Sequence, residues 1–156
     1  MRPMVLLLAA VCLAAFLGAV PFVSADVAEL CPVEIMCITA EDGGITVTAD
    51  GGLAASGADL PTALENLRAA ATGRLLLDTV DELTLTNVTP TPQALLDCGL
   101  RPAVRVFRSP PVADADALAA YLAKWDGGMT LGMWSEEPTL PLPRLQPCRT
   151  GLRMAD

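Results

Sequence analysis

One apolar run near the N-terminus constrains this chain more than any other stretch, because it decides where the rest of the chain folds. The run is MVLLLAAVCLAAFLGAVPFV at residues 4–23, and it follows Arg2. A short basic start, an apolar segment and the small residues Val23-Ser24-Ala25 are typical of a secretory signal peptide. We therefore predict a signal peptide at residues 1–25. The alternative is an uncleaved membrane anchor, because about 20 apolar residues can span a bilayer core.

The remaining chain is acidic and has the length of a single domain. Cleavage after Ala25 removes 25 of the 156 residues and only one of the ten basic residues, which leaves nine basic and 18 acidic residues and a net charge of −9. Such a length suffices for one hydrophobic core but hardly for two. The negative charge argues against nucleic acid and anionic membrane surfaces as partners, because both would repel the protein.

The chain contains no histidine, which removes the most common general base and the most common transition-metal ligand. Four cysteines follow the predicted cleavage site: Cys31, Cys37, Cys98 and Cys148. In an oxidising compartment an even number favours two disulfides, with three possible pairings, and free buried thiols are the alternative. The spacing offers neither a C-x-x-C pair nor two close ligand pairs for zinc, so we expect no cofactor and no bound zinc.

Hydrophobic alternation and turn signals predict an α+β fold, with a small mixed sheet of about four to five strands and two to three helices packed on it. Residues 33–40 and 45–49 read as a hairpin around Glu41-Asp42-Gly43-Gly44. Asp59 and Asp114, or else Asp116, are predicted to cap two helices. Further strands are predicted at 74–80, 83–86 and 103–107, and a short helix at 93–98. We place the domain at residues 26–128 and a proline-rich, partly ordered tail at 129–156.

Three groups of side chains are candidates for function. Asp78, Asp81 and Glu82 could serve a carboxylate-dependent hydrolase, although a role as solvated turn residues is the favoured explanation. Arg105 and Arg108 could bind an anionic solute, although ion pairs with the surplus acids are the simpler explanation. The segment from Trp125 to Trp134 is the first place where we expect an apolar surface for a partner.

The segment Gly57-Ala58-Asp59-Leu60-Pro61-Thr62-Ala63, continued by a helix to Ala71 and by a strand opening at Leu75 to Leu77, carries a resemblance to a known family. Residues 95–106, with an arginine before their strand, continue it. This pattern resembles the N-terminal domain of the C subunits of spore-germinant receptors, which are extracytoplasmic. Members are usually lipoproteins and longer, whereas Cys12 lies inside the apolar run without a lipoprotein signal. The resemblance implies a stand-alone relative of one domain.

These observations lead to a hypothesis about function. We expect a non-enzymatic exported module that acts as an interaction or scaffold domain at the bacterial cell or spore envelope, with an envelope or membrane protein as its partner. The alternatives are the carboxylate-dependent hydrolase and the small-solute-binding module that uses Arg105 or Arg108. The hydrolase predicts that its acids converge in a cleft and that at least one has a raised pKa. The solute-binding module predicts an unpaired guanidinium in a cavity.

Overall fold

The computed structural model of this protein describes residues 29–41, 43–112, 114–125, 127–148 and 151–154. The predicted signal peptide lies outside the described residues. Within the described ranges, no helix is both long enough and apolar enough to cross a membrane.

The same ranges contain ten strands and four helices. The strands are β1 Leu30–Pro32, β2 Ile35–Glu41, β3 Gly44–Ala49, β4 Ala54–Gly57, β5 Arg74–Leu76, β6 Glu82–Thr86, β7 Arg105–Arg108, β8 Met129–Thr130, β9 Leu145–Cys148 and β10 Gly151–Met154. The helices are α1 Leu60–Ala70, α2 Pro92–Asp97, α3 Ala115–Leu122 and α4 Leu131–Glu136.

Six of the strands form one mixed sheet in the order β4-β3-β2-β6-β7-β8. The antiparallel hairpin of β2 and β3 turns at Gly43, whose φ of 93° suits glycine. Strands β2, β6 and β7 run parallel to one another, and β8 returns antiparallel to β7. The predicted α+β class is confirmed, with one more strand in the main sheet than the upper expected number.

Helices cover both faces of this sheet. Leu83 and Leu85 of β6 face the larger core, where the apolar residues of α1, α2 and α4 pack; Cys37 and Phe107 face the smaller core beneath α3. The central strand β6 is consequently buried along its whole length, including Glu82, Thr84 and Thr86. Its alternating sequence therefore does not divide a wet face from a dry one, as alternation usually does.

Helix α1 forms where the sequence predicts it. The Asp59 carboxylate accepts a hydrogen bond from the Thr62 amide at 2.9 Å, and Pro61 stands in the first turn. The Thr62 side chain and, after it, this capping bond lower the pKa of the Asp59 carboxyl. The stripe Leu60, Leu64 and Leu67 is buried. The cap of α3 is Asp114, which accepts from the Ala117 amide at 2.9 Å.

Two further strands differ from the sequence prediction. Residues 54–57 form β4, the edge strand beside β3, where no strand was expected. Residues 74–76 form β5, which pairs in parallel with β1 in a separate two-stranded sheet and is not continuous with β6. A short 3-10 turn at Leu77–Thr79 divides the two. The Thr79 hydroxyl fixes this turn: its oxygen accepts from the Val33 amide at 2.9 Å, and its single proton is within reach of the carbonyls of Leu76 at 2.8 Å and Val33 at 3.0 Å.

The structured core continues beyond residue 128, into the segment expected to be a tail. Strand β8 lies at the edge of the main sheet, and α4 buries Leu131 and Trp134. Leu142 and Leu145 are also buried, and the hairpin of β9 and β10 follows. The Tyr121 hydroxyl of α3 accepts from the Met154 amide at 3.1 Å, which ties this hairpin to the smaller core.

Candidate functional site

The three predicted acids do not converge in a cleft. Asp81 is exposed and forms an ion pair with Arg101 at 2.9 Å. Glu82 is buried, and its carboxylate pairs with Arg105 of the neighbouring strand. Asp78 is exposed and lines a cavity that neither Asp81 nor Glu82 borders. No group of three or more acids or cysteines that could hold a metal ion occurs in the described part of the chain.

The pair of Glu82 and Arg105 connects the sheet with the end of α3. The two residues stand opposite each other in the register of β6 and β7. The Arg105 guanidinium also donates to the carbonyl of Trp125 and, at 3.2 Å, to that of Leu122. Burial raises the pKa of Glu82, and Arg105 opposes the shift without cancelling it. Arg105 thus forms an ion pair and two further hydrogen bonds within its own protein. The sequence had suggested it as a possible ligand contact.

Arg108 is anchored but still borders a cavity. Its guanidinium donates to the Val88 carbonyl at 2.6 Å and to the Thr89 hydroxyl at 2.9 Å. The cavity beside it has a volume of about 340 Å³ and lies at the carboxyl ends of β6 and β7. We call it the carboxyl-edge cavity; its lining residues are Leu85, Asn87, Arg108, Ser109, Arg144 and Leu145.

The two tryptophans have structural roles. Trp134 is only 4% exposed, and its indole N–H donates to the Pro138 carbonyl at 3.3 Å, so it is a core residue and the expectation of a surface contact does not fit it. Trp125 is half-buried against Phe107, with ring centroids 5.9 Å apart. Between the two tryptophans in sequence, Met133 is 52% exposed, and it is the most solvent-exposed large apolar side chain of the described residues.

Cys31, Cys37 and Cys98 are free thiols in the structure, and the side chain of Cys148 lies outside the described set. The predicted disulfides therefore do not form among the three described cysteines, and the alternative of free, at least partly buried thiols applies to them. Burial raises the pKa of Cys37. The adjacent Thr84 hydroxyl counters that shift in part, although its oxygen has no partner within hydrogen-bonding geometry.

A groove between α1, α2 and β5 is a second concave feature of the described residues. It consists of two adjoining cavities of about 470 and 320 Å³, which share Arg68 and Cys98 in their walls. The Arg68 guanidinium donates to the Cys98 carbonyl at 3.3 Å and spans the groove at this point. Burial raises the pKa of the Cys98 thiol, and the charge of Arg68 counters it in part. We call this feature the α1–α2 groove.

Strand β5 borders one half of the α1–α2 groove along its whole length. Consecutive residues from Gly73 to Asp78 line the cavity, and since side chains alternate between the two faces of a strand, such continuous lining must include backbone. One edge of β5 pairs with β1, and no other described strand pairs with the opposite edge. This half of the groove therefore offers backbone groups in an extended conformation.

Sequence reasoning did not single out Arg68, Arg74, Asn87 or Arg144. Arg68 follows the predicted apolar stripe of α1 and resembles any exposed helical residue. Arg144 lies in the proline-rich segment, and its isolated parallel bridge to Arg108 is a contact over 36 positions of sequence that no local pattern encodes. The one available signal was general, namely that residues after parallel strands meet at the same sheet edge.

Comparison of the chain with models of known protein families, with curated proteins and with solved structures finds no match.

Proposed function

We propose that this protein is a non-enzymatic exported interaction module of the bacterial cell or spore envelope, and that it binds an extended peptide segment of an envelope or membrane protein in the α1–α2 groove. The observation that carries the proposal is that β5, whose only strand partner in the described part of the chain is β1, lines one half of that groove with consecutive residues. Peptides commonly bind by adding a strand to such an edge, where main-chain hydrogen bonds supply affinity and side-chain pockets supply specificity.

The dimensions of the groove favour an extended occupant. Its lining includes Pro61, near the start of α1, in one cavity and Asp78, beyond β5, in the other. The 11 residues of α1 alone span roughly 16 Å at 1.5 Å per residue. An extended peptide covers that distance with about five residues at roughly 3.3 Å each. A compact solute that fills one of the two cavities would leave the other cavity empty.

The charges along the groove are arranged in two halves. The half at β5 contains Arg74 and shares Arg68, against the single carboxylate of Asp78. The half between α1 and α2 contains Glu65 and Asp97. We therefore propose a peptide that carries an acidic side chain opposite β5 and a basic side chain opposite Glu65 and Asp97, because this orientation matches both halves.

The apolar N-terminal run supports placement outside the cytosol, because it has the arrangement of a signal peptide. The resemblance to the N-terminal domain of spore-germinant receptor C subunits supports an envelope location and a link with spore germination. Because a shared fold does not carry a function with it, we take the location and the link with germination from this resemblance, and not a receptor role.

Site-specific photo-crosslinking in the native cell tests this function. A photoreactive residue in place of Glu65, on the exposed rim of the groove, is expected to give a discrete adduct with an envelope protein. The same residue in place of Ala54, exposed on β4, is the matched control and is expected to give none. Adding Arg74→Glu should weaken the Glu65 adduct by reversing the charge beside β5, whereas Arg153→Glu should not.

Peptide mapping of the adduct decides the outcome. Crosslinks to one extended segment with the stated order of charges would support the proposal. Equal crosslinking from Glu65 and Ala54, or an adduct that Arg74→Glu leaves unchanged, would refute recognition through the groove.

A further inference from the structure

We propose that the carboxyl-edge cavity is a binding site for a small organic dianion, either a phosphomonoester or a dicarboxylate, held between Arg108 and Arg144. This site is separate from the α1–α2 groove and does not depend on the function proposed for that groove. Its position is where sheets of this kind commonly bind ligands: β6 and β7 are parallel neighbours, and crevices at the carboxyl ends of such strands are frequent ligand sites.

The strongest observation is that two arginines are backbone partners and both line the same cavity. Arg108 and Arg144 are partners in a parallel bridge, and the Arg108 amide donates to the Pro143 carbonyl at 2.7 Å. Side chains of paired residues lie on the same face of a sheet, and both of these line the cavity. Like charges in such positions are unfavourable unless an anion offsets them.

Neither arginine has a carboxylate partner in the described part of the chain. The ion pairs found there join Arg101 with Asp81 and Arg105 with Glu82, and the residues lining the cavity include no acid. This is unusual in a protein with 18 acidic and ten basic residues, where a surplus of carboxylates is available for pairing. An anionic ligand would supply the missing negative charge.

The cavity is partly organised for such a ligand. The Val88 and Thr89 contacts hold the Arg108 guanidinium in place and use two of its five N–H groups, which leaves donors for an oxyanion. The Asn87 side chain adds an amide to the lining. The Ser109 hydroxyl donates to the Pro110 carbonyl at 2.7 Å and is therefore not a free donor.

The volume and the apolar walls limit the ligand. About 340 Å³ is near the lower end of the range for small-molecule sites, so the ligand is a small solute and not a nucleotide or a sugar chain. Leu85 and Leu145 contribute apolar surface, which suits a ligand with a short carbon skeleton beside its charged group. Two arginines match a charge of −2 and permit bidentate contacts with phosphate or carboxylate oxygens.

Isothermal titration calorimetry on the mature chain tests the proposal, with glycerol phosphate, succinate and inorganic phosphate as probes and glycerol and succinamide as their uncharged analogues. We expect binding of glycerol phosphate or succinate, with affinity that falls as salt is added, and no binding of the uncharged analogues. Arg144→Gln should weaken binding by about tenfold or more, because it removes a charge-assisted contact. Arg74→Gln, which removes an exposed arginine of β5 beside the α1–α2 groove, should leave the affinity unchanged.

Arg144 is the informative position because its side chain has no hydrogen bond to the rest of the described protein, so its replacement should not disturb folding; thermal unfolding checks this. The preference between glycerol phosphate and succinate identifies the ligand class. Absence of binding by glycerol phosphate and by succinate at millimolar concentration, or equal affinity in the wild type and in Arg144→Gln, would overturn the proposal. The unchanged affinity expected of Arg74→Gln separates the site from the α1–α2 groove.

Discussion

At the scale of single residues, the buried polar row beneath α3 is the most unusual feature of the core. Cys37, Thr84, Glu82 and Arg105 occupy neighbouring positions on β2, β6 and β7, where apolar side chains would ordinarily stand. Only the charged pair is fully satisfied by partners. Since an unpaired buried charge is far more costly than an unpaired hydroxyl, this pair dominates the energetics of the row.

Removing the Glu82 carboxylate should destabilise the protein strongly. Glu82→Ala leaves the mostly buried Arg105 guanidinium without its counter-charge, and we expect a loss of about 3 kcal/mol in the free energy of unfolding. Glu82→Gln keeps a hydrogen-bond acceptor of the same shape, and we expect about half that loss. Urea denaturation followed by tryptophan fluorescence measures both. Equal losses in the two variants would mean that packing and not charge decides the effect.

The same carboxyl group should make stability depend on pH. Because burial raises the folded-state pKa of Glu82, the folded state retains this proton more readily than the unfolded state, whose Glu pKa is about 4.3. The contribution of Glu82 to stability is therefore fully present below pH 4 and is lost as pH rises through the folded pKa. The difference in unfolding free energy between the wild type and Glu82→Gln should decrease from pH 4 to pH 7. An increase over that range would show that Arg105 outweighs burial.

The described cysteines should differ in their reactivity toward a thiol reagent. Cys31 and Cys98 are partly exposed, whereas Cys37 is only 3% exposed. Burial raises the pKa of both Cys98 and Cys37, which lowers the fraction of reactive thiolate, but only Cys37 is also shielded from the reagent. In the native protein we expect alkylation of Cys31 and Cys98 within minutes, and of Cys37 only with denaturant. Peptide mass spectrometry over time gives the three rates. Resistance of Cys31 and Cys98 to alkylation until reduction would instead indicate disulfides.

At the scale of elements, the sequence predicted those whose signals are local. The caps Asp59 and Asp114 and the apolar stripe of α1 each act within one or two turns, and all three occur in the structure. Strand β4 was not predicted because Ala-Ala-Ser-Gly has little strand propensity, and its pairing with β3 is decided by tertiary contacts. Likewise, β5 leaves the main sheet because it pairs with β1, more than 40 residues earlier in the chain.

The approach of β4 to α1 depends on one glycine. A Cβ atom at Gly57 would lie 2.4 Å from the Ala63 amide nitrogen and 2.8 Å from the Thr62 carbonyl carbon. Both are backbone atoms, so no side-chain rotation can relieve the clash. We expect Gly57→Ala to lower the free energy of unfolding by about 2 kcal/mol, because the helix must move away from the strand. Ala54→Ser, at an exposed position of the same strand, is the control and should have little effect. Thermal denaturation of both variants gives the comparison, and a neutral Gly57→Ala would contradict this close packing.

At the scale of the whole molecule, the last structured quarter of the chain belongs to the core. Leu131, Trp134, Leu142 and Leu145 are each less than 10% exposed, although the proline content after residue 137 resembles that of a linker. Composition did not reveal this, because these apolar residues are scattered among prolines and have no helical or strand period. The α1–α2 groove and the carboxyl-edge cavity could not be predicted from the sequence for a related reason, since both combine residues from distant parts of the chain.

A chain that ends at residue 128 should therefore fail to fold. Truncation there removes the four buried side chains just named, each worth roughly 2 kcal/mol of burial. The sum is comparable with the total stability of a domain, which is typically about 5–15 kcal/mol. Circular dichroism and proton NMR of residues 26–128 should show a largely unfolded chain, whereas residues 26–156 should give a dispersed spectrum. A dispersed spectrum from the shorter chain would place the domain boundary at residue 128 after all.

The two edges of the main sheet have a consequence for how this protein behaves at high concentration. At β4, the Asn66 side chain donates to the Ser56 carbonyl at 2.7 Å, and α1 lies against the strand. At the other edge, β8 has two residues before the chain turns into α4. Open sheet edges are the usual starting points of fibre growth, and both edges of this sheet are obstructed or short. Neighbouring copies of the protein therefore find little free strand edge to extend, and we expect concentrated solutions to resist fibre growth.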